Sequence, residues 1–144
     1  MPPLMIFAAG FGTRMGALTK DTPKPLIRVG GRALIDHALA LRGPAQIEKT
    51  VINLHYLGEQ IEQHLAGQDV VFSWERDQIL ETGGGLRAAL PLLGDDTVLL
   101  LNSDAVWTGA NPLTQLLAAW QPDRMDSLLL LLARKDVLGH TGVG

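Results

Sequence analysis

Two cations with ordered surroundings stand out in this 144-residue chain, Arg14 and Lys24. Arg14 lies in a run of mostly small residues, Ala8-Ala9-Gly10-Phe11-Gly12-Thr13-Arg14-Met15-Gly16, and Lys24 is held between Pro23 and Pro25. Backbone N–H groups can approach an anion closely where no Cβ stands in the way. A guanidinium forks onto phosphate oxygens, while an ammonium supplies a compact point charge. Ala8, Ala9, Gly10, Gly12, Thr13, Arg14 and Lys24 together read as a cradle for a nucleoside triphosphate.

Two other glycine loops do not fit. A Walker A loop requires Gly, four residues and then Gly-Lys-Ser/Thr, which the chain lacks. A dinucleotide fingerprint requires G-x-G-x-x-G running into a helix. Gly10 and Gly12 satisfy its first half, but Met15 stands where the third glycine belongs and Gly16 falls one residue late. Pro23 and Pro25 also argue against an immediate helix.

Asp104 is the second signal. It follows the apolar run Val98-Leu99-Leu100-Leu101, which puts a carboxylate at the mouth of a buried strand, facing a bound phosphate. Mg²⁺ prefers oxygen ligands and is often held by one or two carboxylates together with substrate phosphates. A third signal is Glu81-Thr82-Gly83-Gly84-Gly85, where glycines running into a helix let backbone pack flat against a ring or a phosphate. Trp107, close to Asp104, can wall a sugar pocket. His55 follows a strand and reads as an ordinary hydrogen-bonding loop residue. Neither a zinc-type histidine cluster nor a Ser/His/Asp arrangement can be built from the spacing.

The elements that must position these residues alternate. Leu4–Ala8 reads as a central parallel strand buried on both faces. Gly30-Gly31-Arg32 is a turn, followed by a helix over 33–42 that stops at Gly43-Pro44. A strand over Lys49–Leu54, a helix over Leu57–Leu65 and a strand over Asp69–Trp74 come next. A helix opens around Gly84, and a strand over Thr97–Leu101 leads into Asn102-Ser103-Asp104. A helix over Pro112–Trp120 is capped by Asn111, and Ser127–Ala133 reads as a fifth strand. This alternation predicts an α/β, Rossmann-like, mainly parallel sheet with helices on both faces. Ligands then bind at the carboxyl ends of the strands, where the loops carrying these residues converge.

Composition narrows the function classes. One domain is expected at this length. A net charge of −3 offers no basic face to nucleic acid. The absence of cysteine excludes disulfides and thiolate metal sites. With no secretory signal, and with Leu128–Ala133 too short to span a bilayer, a soluble cytoplasmic protein without membrane partners is expected.

The stretch Ala-Ala-Gly-x-Gly-Thr-Arg-Met, then Leu18-Thr19 and Thr22-Pro23-Lys24-Pro25-Leu26, resembles the N-terminal motif of sugar-1-phosphate nucleotidyltransferases. That family joins a nucleoside triphosphate to a sugar 1-phosphate and releases pyrophosphate. Leu-Leu-Asn-Ser-Asp is similar to the family's strand ending in a metal-binding aspartate, with Ser103 replacing the usual glycine. The resemblance implies Mg²⁺ at Asp104 and base contacts from Glu81, Gly83 and Gly84. It also implies catalytic roles for Arg14, Lys24 and Asp104, with Asn102 and Trp107 on the sugar side. Glu81–Gly85, Ala89–Gly94, Val51-Ile52-Asn53 and Val106-Trp107-Thr108 look most like the branch acting on N-acetylmuramate 1-phosphate with UTP. GTP with mannose 1-phosphate, and a nucleotide-binding domain without catalysis, remain open as alternatives. The resemblance runs over about residues 4–109. It implies a chain incomplete on its C-terminal, sugar-binding side, lacking the family's second metal-binding aspartate, with strand Ser127–Ala133 left at an open edge prone to self-association.

Overall fold

The computed structural model describes residues 1–139, so His140–Gly144 of the glycine-rich tail lie outside them. Strand β1 (Leu4–Phe7) opens the fold, followed by 3₁₀ turns at Thr13–Thr19 and Lys24–Leu26. Short strands β2 (Arg28–Val29) and β3 (Arg32–Ala33) form an antiparallel ribbon around the expected Gly30-Gly31 turn. Helix α1 (Leu34–Ala40), strand β4 (Thr50–Leu54), helix α2 (Gly58–His64) and strand β5 (Val71–Trp74) follow. Helix α3 (Glu81–Leu93), strand β6 (Leu99–Asn102) and helix α4 (Pro112–Ala119) complete the regular framework, before a last 3₁₀ turn at Arg134–Asp136.

The main sheet has the order β5-β4-β1-β6, and every pair in it is parallel. From β1 the chain steps outward to β4 and β5, then returns across the sheet to place β6 on the other side of β1. Right-handed crossovers therefore put α1 and α2 on one face and α3 on the opposite face. The packing follows this rule. Leu4, Ile6, Ile52 and Leu54 meet Ile35, Ala38 and Leu39 of α1, Ile61 of α2 and Leu113 of α4. Met5 and Val51, alternating to the other side, meet Ala89 and Leu93 of α3. The reversal of winding lies at β1, and the crevice beyond the carboxyl ends of β1 and β6 is where ligands bind in such sheets.

The fifth strand expected over Ser127–Ala133 is not formed. Leu129, Leu131 and Leu132 are 77%, 80% and 51% exposed. The segment makes no ladder with β6, and an unpaired strand leaves its backbone groups to water and buries little. The expected edge strand for self-association is therefore absent, and β5 and β6 are the outer strands of the main sheet. Among the described residues no helix is long and apolar enough to cross a membrane.

Candidate active site

The small-residue run leaves β1 and curls over the end of the sheet. The Ala8 N–H donates to Asn53 Oδ1 at 2.8 Å, which turns the chain out of the ladder. Gly12 takes a left-handed φ of +65°, and a Cβ built there would lie 2.9 Å from Thr19 Cγ2 and 3.0 Å from Lys24 Cβ. Only glycine meets both demands. Thr19 Oγ1 donates to the Gly12 carbonyl at 2.8 Å. Tyr56 Oη lies 2.8 Å from the Thr19 carbonyl and 2.9 Å from that of Lys20, while Gln60 Nε2 donates to the Asp21 carbonyl at 3.0 Å. The cradle is thus pinned to the start of α2. The prolines shape a 3₁₀ turn in which the Leu26 N–H donates to the Pro23 carbonyl at 2.9 Å, and Lys24 projects from it.

Lys24 and Asp104 meet, Nζ to Oδ2 at 2.6 Å, across 80 residues of sequence. Ser103, the departure from the family's usual glycine, is buried and donates from Oγ to the Phe7 carbonyl at 2.7 Å. Its hydroxyl ties the end of β6 to the end of β1 and so sets Asp104 opposite the cradle. The ion pair is partly open to solvent, with side chains 30% and 41% exposed. Such pairs contribute at most about 1 kcal/mol to stability. Its placement therefore concerns the cleft more than the fold.

A cleft of about 590 Å³ lies between these elements. Ala8, Ala9, Gly10, Gly12, Thr13, Arg14, Lys24, Glu81, Asn102 and Asp104 all line it. Gly83, Gly84 and Trp107 do not. The glycine run is not a loop ahead of a helix around Gly84, because α3 already starts at Glu81. Gly84 faces Leu80, and Gly85 faces Glu75 and Asn53. Glu81 and Thr82 are the residues of this run that reach the cleft. Glu81 holds a left-handed φ of +60°, a strained state for a non-glycine residue of the kind that gathers at functional sites. Trp107 lines a neighbouring apolar cavity of about 860 Å³ that shares Asn102 and Asp104 with the cleft. Its indole N–H is buried without a partner among the described residues.

Two further cleft residues, Asn53 and Glu75, are absent from the sequence-based assignment. Both are buried, and Asn53 Nδ2 donates to Glu75 Oε1 at 2.7 Å. Glu75 directly follows the apolar end of β5, the same signal that marks Asp104 after β6. His55, by contrast, bonds through Nδ1 to the Glu75 carbonyl and packs edge-on against Phe11.

The Asp104 carboxylate beside Lys24 is an oxygen donor of the kind that suits a hard cation, and the Asn102 amide lines the same cleft. No group of three or more His, Cys, Asp or Glu side chains able to hold a metal occurs among the described residues. These residues fit a Mg²⁺ that takes its remaining ligands from phosphates and water.

Residues 4–140 match the MobA-like NTP transferase domain. The chain belongs to this family. It is 43% identical to the N-acetylmuramate alpha-1-phosphate uridylyltransferase of Caulobacter vibrioides over 97% of this chain and 62% of that protein. It is 44% identical to the Neisseria meningitidis protein of the same name over 71% of this chain and 46% of that protein. The chain thus spans less than two thirds of the length of either relative. A nucleotidyl transferase from Methanothermobacter thermautotroptrophicus superposes with a TM-score of 0.67 at 21% identity, over 83% of this chain and 57% of that chain, which shows the shared fold. The likeness expected to fade after residue 109 in fact extends over nearly the whole chain.

Proposed function

We propose that the chain carries the nucleotide-binding and catalytic side of a uridylyltransferase that joins UTP to N-acetylmuramate 1-phosphate. The convergence of Lys24 and Asp104 at 2.6 Å on the lip of a glycine-lined cleft is the observation that carries this reading. Likeness to two proteins bearing that name supports the choice of base and sugar.

In the proposed reaction an oxygen of the sugar 1-phosphate attacks the α-phosphorus of UTP. The new P–O bond yields the UDP-sugar, and the bond to the β-phosphate oxygen breaks, with pyrophosphate leaving on that electron pair. The attacking oxygen is already ionised, so no general base is required. Catalysis reduces to alignment and charge stabilisation. The Gly10–Thr13 backbone cradles the triphosphate, and Arg14 neutralises the departing pyrophosphate. Lys24 meets charge growing on the α-phosphate. Glu81 and Thr82, at the start of α3, border the base. Asn102 offers a hydrogen bond on the acceptor side, where Trp107 walls the neighbouring cavity. Asp104 would hold Mg²⁺, which when bound supplies positive charge against the phosphates.

Pyrophosphate release tests this reading. The chain is given Mg²⁺ with each nucleoside triphosphate in turn and a panel of sugar 1-phosphates. Release is expected with UTP and N-acetylmuramate 1-phosphate, and Lys24→Ala should lower turnover about 10²–10³-fold, as removal of one transition-state donor does. Thermal stability should change by about 1 kcal/mol or less. Preference for GTP with mannose 1-phosphate would overturn the substrate assignment. Tight nucleotide binding with no release for any pair would overturn the catalytic one.

A further inference from the structure

Asn53 and Glu75 stand at the ends of adjacent parallel strands, and their hydrogen bonds converge on the Glu75 carboxylate across the floor of the cleft. The Ala8 N–H, where the cradle leaves β1, donates to Asn53 Oδ1 at 2.8 Å. Asn53 Nδ2 donates to Glu75 Oε1 at 2.7 Å. The Leu80 N–H, one residue before α3, donates to Glu75 Oε2 at 2.7 Å. Gly85, in the first turns of the same helix, leaves no room for a side chain, since a Cβ there would lie 2.7 Å from Glu75 Oε1 and 2.9 Å from Asn53 Nδ2. Three separate segments are therefore fixed to one buried pair: the cradle, the β4–β5 floor and the entry to α3. Glu75 is only 3% exposed, and its carboxylate is taken up by partners within the protein. Buried polar groups satisfied in this way specify geometry, because each unmade bond would be costly.

We propose that the Asn53–Glu75 pair is a specificity-determining positioning element: it fixes the distance between the phosphate cradle and the base-facing start of α3, and so couples recognition of the base to seating of the triphosphate. This rests on reading the cleft as a nucleoside triphosphate site. The pair touches both ends of the nucleotide's seat without needing to touch the reacting phosphorus. A base whose hydrogen-bonding edge matches the groups at Glu81 and Thr82 then brings its α-phosphate into line, and a base with a different edge leaves it displaced.

Directionality of the hydrogen bonds supplies the test. Glu75→Gln replaces one acceptor oxygen with a donor and sets two N–H groups face to face, either at Asn53 or at Leu80. Asn53→Asp sets two carboxylates face to face. Combined, the two changes reverse the middle bond. The introduced aspartate accepts from both the Ala8 N–H and the introduced glutamine, whose own oxygen still accepts from Leu80. Binding of UTP, CTP and inorganic triphosphate is measured for the wild type, both single variants and the double variant, alongside the melting midpoint. The expected result is a fall of about tenfold in the preference for UTP over CTP in each single variant, the size of one buried hydrogen bond. Triphosphate affinity should stay within about twofold, and the double variant should recover the preference. A folded Glu75→Gln protein that keeps the wild-type preference overturns the inference, as does an equal fall in affinity for all three ligands. A wild-type chain that binds none of the ligands overturns the nucleotide-site reading itself, which separates the two failures.

Discussion

The two sides of the sheet differ sharply in how their apolar residues are used. All five residues of β4 are buried, and β1 is buried up to its last residue. On the far side, β6 alternates buried and exposed, with Leu100 43% exposed and bordering the apolar cavity beyond it. The leucine-rich stretch after α4 pairs with no strand among the described residues. All three regions are runs of strand-forming apolar residues in sequence. What separates them is the number of neighbours. β1 has a strand on each side and helices above and below, whereas β6 has β1 alone. An apolar run supplies the driving force for burial, but the pairing partner decides whether a strand results.

Truncating one residue on each side measures this contrast most directly. Ile52→Ala removes a fully buried side chain from the larger core and should cost about 2–5 kcal/mol. Leu100→Ala should cost about 1 kcal/mol or less, because much of its surface already meets water. Both are read from denaturant midpoints at constant m-value. Equal losses would break the contrast and mean that the β6 flank is covered in solution.

A second variant sharpens it at the cleft. Gly12→Ala imposes a Cβ at φ +65° and within 2.9 Å of Thr19. The strain should amount to about 1–3 kcal/mol. Because the cradle is a loop that can rearrange without the sheet, the effect should fall mainly on affinity for UTP, with a smaller shift in the melting midpoint. A large midpoint shift with unchanged affinity would mean that the cradle is part of the stability core instead.

Much of this is legible in the sequence, for identifiable reasons. β1, β4, β5 and β6 are readable because strands of a covered parallel sheet are continuous apolar runs bounded by turn residues. The cradle is readable because glycines and paired prolines around cations leave a local imprint. Lys24 and Asp104 are assigned to one site, although their contact at 2.6 Å depends on register that no local pattern states. Three features are not legible. Gly84 and Gly85 look like loop glycines, but they belong to α3 and are small because Leu80 and Glu75 press against them. Asn53 and Glu75 are single polar residues at strand ends, and their partnership exists only once β4 and β5 align Asn53 with Ser73. Ser127–Ala133 has the composition of a strand and lacks a pairing strand among the described residues, which composition cannot reveal.

That last segment gives the smallest effect and the most pointed check on the contrast. Leu131 is 80% exposed, so Leu131→Lys removes little buried surface. It should change stability by no more than about 0.5 kcal/mol, the usual range for surface positions. The charge should also reduce any tendency of the exposed leucines to associate. If the substitution instead costs as much as a core truncation, residues 127–133 are buried in solution. The apolar run would then have found the partner that the described residues do not supply, and the difference between the two flanks would be one of assembly, with the same rule of pairing governing both.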